Sequence, residues 1–162
     1  MPLASTSPRY AALTQPKTLS VAEIQAEVLD PDSVLLEYAL GEQKSFLWIV
    51  TKDNFQAFEL PARGEIERAA REFYESLTAR NRQVKFETAA ERSDRIFIAD
   101  SNAQKFSAAL SRLILAPAAP LLANKRLLIV ADGALQYVPF AALKAGAQPP
   151  KDQRSKIKDQ YL

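Results

Sequence analysis

Apolar positions along this chain repeat with two different periods, and the changes of period divide it into elements. Val21, Ile24 and Val28 fall on one helical face behind Ser20 and Glu23, which are spaced as a capping box; Leu19 and Ile24 are spaced as a hydrophobic staple. Pro31 ends this short helix at or before Asp30. Val34, Leu36, Tyr38 and Leu40 then alternate with Leu35, Glu37 and Ala39, predicting a strand. Gly41 with Glu42 and Gln43 marks a turn. Ser45 to Thr51 (SFLWIVT) reads as a central strand covered on both faces. Asp53-Asn54 makes the next turn, and Phe55 to Leu60 is a third strand ended by Pro61. Strands joined this closely form an antiparallel meander.

The period then lengthens. Ile66, Ala69, Ala70, Phe73 and Leu77 predict a helix over about 63–80, with Arg63, Glu67, Arg71 and Glu75 on its wet side. Residues 81–90 read as loop. A second helix is expected between about 91 and 116, carried by Phe106, Leu110, Leu113 and Ile114, with Ser101-Asn102 as an internal cap. Arg126 to Ala131 (RLLIVA) reads as a buried strand, Asp132-Gly133 as a turn, Leu135 to Val138 as renewed extended chain, and Phe140 to Leu143 as a short apolar element. The fold class implied is α/β: a three-layer sandwich whose mixed sheet holds the meander and the buried strand. Three prolines break residues 1–18, which read as a flexible N-terminal linker. Residues 19–145 form the domain, and 146–162 read as a polar, disordered tail.

Composition narrows the chemistry more than the fold. Among 162 residues there is no Cys and no His. Thiolate nucleophiles, imidazole bases and the Ser-His-Asp and Cys-His arrangements are absent from this chain. Asp30 with Asp32, and Asp94 with Asp100, lack the ligand density of a calcium loop or a di-metal helix. The four glycines are too scattered for a phosphate cradle. Glu65, Glu67, Glu72 and Glu75 read as a solvated helix face, and Tyr38 and Trp48 as packing residues. No catalytic, cofactor-binding or metal-binding residue is assigned, and no cofactor is expected. The net charge is +2, with the acidic excess before residue 82 and the basic excess after it. The tail bearing Lys151, Arg154, Lys156 and Lys158 has no interleaved aromatics, so neither nucleic acid nor lipid is expected as a partner. No apolar run approaches the roughly 20 residues that span a bilayer, and the N-terminus lacks a signal-peptide pattern. The expected location is cytoplasmic.

Two segments carry a resemblance. Residues 34–67 and 110–145 resemble the CHAT domain, a bacterial caspase-like module often found behind tetratricopeptide repeats. The second segment is the more specific. It combines LSRLILAP, the RLLIV strand, Asp132-Gly133, and Leu135, Val138, Pro139, Phe140 and Leu143 in their spacing. The resemblance implies a fold akin to caspases and separases, and a family of cysteine peptidases with a His-Cys dyad, or degenerate relatives. It places that dyad after the Pro-Phe-x-x-Leu segment, so no dyad position carries over to this chain. The expected role is a non-catalytic N-terminal part of such an effector, scaffolding a sheet whose remaining part carries the dyad. Its expected partners are the rest of the domain and the repeat region, with a homodimer through an exposed sheet edge. An autonomous interaction module is the alternative, and a small-molecule binding domain has only a generic pocket argument behind it.

Overall fold

The structure, a computed structural model, describes residues 18–144. Apart from Thr18 and Leu19–Lys144, the expected linker, the tail and Ala145 therefore lie outside the described residues. Ser20 caps the first helix, α1 (Val21–Glu23). Its hydroxyl accepts the Glu23 N–H, and the Glu23 carboxylate accepts the Ser20 N–H at 2.8 Å. The chain then widens into a π turn over Ile24–Val28, where the Leu29 N–H reaches back five residues to the Ile24 carbonyl.

The meander forms as its alternation predicts. β1 (Ser33–Ala39), β2 (Ser45–Thr51) and β3 (Phe55–Leu60) pair antiparallel, with Leu36 opposite Ile49 and Leu47 opposite Phe58. Two long helices follow, α2 (Arg63–Ala79) and α3 (Ala89–Ile114), and then a short α4 (Ala119–Leu122). β4 (Arg126–Val130) returns parallel to β1, with Leu36 opposite Ile129, so the strand order is β3-β2-β1-β4. The molecule is an α/β fold on a four-stranded mixed sheet.

Pleating assigns each residue to a face. Val34, Leu36 and Tyr38, with Leu47, Ile49 and Leu60, share a core with Ile66, Ala70 and Phe73 of α2 and Leu110 and Ile114 of α3. Both long helices therefore cover the same face. On the other face Leu35 and Val50 pack with Leu29, Ile24 and Leu128, so only the Ile24–Leu29 stretch covers it among the described residues. The expected three layers are thus two, with a partial third at one end. β2 is central in the sheet but sealed on one face only, since Phe46 and Trp48 remain half-buried on the other.

Three further expectations are corrected. The strand 126–131 is not buried: it is an edge strand, with Leu127 at 38% and Val130 at 48% exposure. Residues 133–137 form a 3-10 turn rather than extended chain, because the Leu135 N–H bonds the Asp132 carbonyl. The second helix runs unbroken through Ser101-Asn102. Its start is set by a capping box in which Thr88 and Glu91 exchange side-chain and backbone hydrogen bonds.

Candidate functional site

In open α/β sheets the carboxyl ends of parallel strands are where chemistry gathers. Here the parallel pair is β1 with β4, and their ends emerge together at Leu40-Gly41 and Asp132-Gly133. α2 begins beside them. The Asp132 carboxylate accepts the Leu40 N–H at 2.8 Å, across 92 residues of sequence. Arg63 donates twice to the Leu40 carbonyl, at 2.6 and 3.2 Å. Its guanidinium also lies 3.6 Å from Asp132 and 3.7 Å from Glu67. The Arg63 N–H completes the knot by donating to the Gly41 carbonyl at 2.8 Å.

Gly133 is required at this point. Its φ is +54°, and a Cβ there would lie 2.8 Å from a Glu67 carboxylate oxygen and 3.2 Å from Leu40 Cδ1. The knot thus fastens the end of β1 to the end of β4 and to the first turn of α2. Arg63 is a permanent cation and Asp132 is occupied as an acceptor, so the group positions backbone. It presents no nucleophile.

The other polar side chains in the core are likewise committed. Buried Tyr38 donates its hydroxyl to the Ile114 carbonyl at 3.1 Å, and burial pushes its ionisation well above the usual tyrosine value. Ser107 donates to the Ala142 carbonyl at 3.1 Å and accepts the Lys144 N–H at 3.0 Å. Ser111 donates to the Lys144 carbonyl at 2.5 Å. These two serines, one helical turn apart, hold the segment after Pro139 against α3, with Phe140 tilted 5.9 Å from the Tyr38 ring.

The carboxylate pairs weighed from the sequence separate. Asp30 accepts from the Ser33 hydroxyl at 2.7 Å and the Asp32 N–H at 3.0 Å, and it pairs with Arg126. The Ser33 hydrogen bond leads in holding its carboxyl below the usual range. Asp32 faces Lys125, and Asp100 faces Arg80. Glu67 joins the Arg63 knot, while Glu65, Glu72 and Glu75 stay exposed. Among the described residues no three His, Cys, Asp or Glu side chains cluster as metal ligands would. None of their helices is alone long and apolar enough to cross a membrane. One strong ion pair escaped the sequence reading. Arg95 forks onto Glu87 at 2.6 and 2.8 Å and also holds the Ala79 carbonyl, which straps the α2–α3 connection and keeps Glu87 below the usual glutamate range. The Glu87–Arg95 spacing falls across the loop–helix boundary, outside any helical i,i+4 pattern.

No family model matches the chain, and no curated protein matches it. The functional reading therefore rests on the residues themselves. The described sheet ends in β3 on one side and β4 on the other, and β4 is the edge that belongs to the parallel pair. The Arg126 N–H donates to the Asp32 carbonyl at 2.7 Å. In a parallel ladder alternate residues turn to the same neighbour, so Leu128 and Val130 also bond β1. Leu127, Ile129 and Ala131 then direct their N–H and C=O groups outward, where no strand pairs with them among the described residues.

Proposed function

We propose that this chain is the non-catalytic, sheet-bearing part of a CHAT-type, caspase-like domain. On this reading it scaffolds a further segment that carries the His-Cys dyad, and β4 is where that segment joins the sheet. The observation that carries the reading is the open edge of β4, an apolar strand parallel to β1 with no further strand beside it among the described residues. Parallel strands are ordinarily flanked on both sides and covered on both faces. Among the described residues β4 is flanked on one side, and its Leu127 and Val130 are still exposed. The resemblance over 34–67 and 110–145 supports the same role. The segment 133–143, held by Asp132, Ser107 and Ser111, supports it by fixing the path of the chain beyond β4.

With no Cys and no His, this chain holds no cysteine-peptidase dyad of its own. The test is to join the segment that follows in the parent gene and assay fluorogenic peptides. Turnover is expected only when that segment brings both dyad residues. Peptide cleavage by residues 1–162 alone overturns the reading. A parent sequence that never supplies His and Cys replaces it with the second reading, an interaction module. That alternative has its own support in the knot at Arg63 and Asp132, where both side chains are engaged in holding backbone.

A further inference from the structure

We infer that the open edge of β4 pairs antiparallel with the β4 of a second copy of this chain, about a twofold axis through Ile129. The inference rests on the reading of β4 as an open edge and names the partner the isolated chain uses. Native edges are normally blunted by a lysine, a proline or a bulge. Leu127 to Ala131 contains none of these, and Leu127 and Val130 are exposed. Such a strand is a template for another extended strand.

The charges at its two ends select the strand. β4 enters behind Lys125 and Arg126 and leaves at Asp132, which is still extended at φ −117° and ψ 151°. A parallel copy would set basic against basic and acidic against acidic. An antiparallel copy sets them in opposition, and like charges directly opposite are the unfavourable arrangement. The outward groups and the end charges together fix the register. Residues that point outward must face each other in the hydrogen-bonded pairs, and of the registers that allow this the one that sets Arg126 opposite Asp132 places Ile129 opposite its symmetry mate and Leu127 opposite Ala131. Arg126 then stands opposite Asp132 of the other copy. Leu128 opposes Val130 in a non-hydrogen-bonded pair, on the face that neither long helix covers. Asp30 already holds Arg126, and Arg63 lies beside Asp132, so each pair adds a second partner to an existing one. The interface is isologous and closes at two copies.

The chain has no native cysteine, so introduced thiols report the register without background. Sedimentation equilibrium of the full chain at high micromolar concentration is expected to show dimer. Oxidation of the L128C/V130C variant is expected to cross-link two copies where neither single variant does so efficiently. Leu127→Pro removes an outward N–H without touching the β1 ladder, and it is expected to weaken the dimer about tenfold or more. Circular dichroism of that variant establishes that it folds. Monomer at every concentration overturns the inference, and so does a stronger cross-link from L128C alone, which marks a different register. Amide exchange separates this failure from failure of the edge reading. In dilute monomer the Leu127 and Ile129 amides exchange quickly if the edge is open. If they are protected there, another part of the same chain occupies the edge, and both readings fall.

Discussion

Val34 in β1 is fully buried, whereas Leu127, its register partner in β4, keeps 38% of its surface. The two strands run side by side, parallel, with similar apolar density: SVLLEYA and RLLIV. The difference comes from position. β1 has a strand on each side and α2 and α3 over its inner face, while β4, among the described residues, has one neighbour and stands at the rim. Apolar composition states that a strand can be buried. Topology decides whether it is, and an apolar strand left at the rim is a surface with an unfilled role.

The comparison breaks most sharply in the core. Leu36→Ala leaves a cavity between β1 and the helices and is expected to cost about 3 kcal/mol in urea unfolding. Leu127→Ala is expected to cost about 1 kcal/mol in the same experiment. Comparable losses at the two sites would erase the distinction. Asp132→Ala tests what holds the strands together, since it leaves the Leu40 N–H without its acceptor and Arg63 without one of its anions. A loss of about 1–3 kcal/mol is expected, with faster amide exchange at the carboxyl ends of both strands.

Tyr38→Phe removes only the hydroxyl bonded to Ile114, so about 1 kcal/mol is expected, read as a shift in denaturant midpoint at unchanged slope. Acid sharpens the comparison without a mutation. The Asp30 carboxyl is held below its usual value of 3.8, first by the Ser33 hydroxyl and then by the Asp32 N–H and Arg126. Its contribution is therefore complete above that value and is lost as the pH falls through the lower, folded one. Exchange at the Leu128 amide is expected to accelerate in this range before exchange at Leu35, whose backbone turns to β2, and Asp30→Asn is expected to remove the pH dependence. Leu127→Ser is expected to lower fold stability by only about 1 kcal/mol, well below the loss at Leu36, while self-association falls, measured by light scattering.

The elements with local causes were legible in the sequence. The Ser20–Glu23 box, the β1–β3 meander and α2 follow from spacing within a few residues, and each formed within a residue or two of its expected bounds. The Thr88–Glu91 box was equally present but lay inside a stretch whose absent apolar period read as loop. Residues that start a solvent-exposed half of a helix need no apolar period. The exposure of β4 and the stacking of α2 and α3 on one face were not legible. Both depend on which strand becomes the neighbour of β1, and no local pattern encodes that choice. The knot at Arg63 and Asp132 was half visible: Asp132-Gly133 announced a turn, but its partners lie 92 residues earlier and on another helix.

The long reach from β1 to β4 also orders assembly in time. β1, β2 and β3 close across turns of a few residues, whereas β4 can dock only after α2 and α3 have been made and folded back. Until then β1 is the rim of a three-stranded sheet, with its own amides bare. When β4 arrives it satisfies those amides and exposes its own in exchange. The free rim is therefore handed outward by one strand, and an open sheet of this kind can relocate that vulnerability but never extinguish it by adding strands from its own chain.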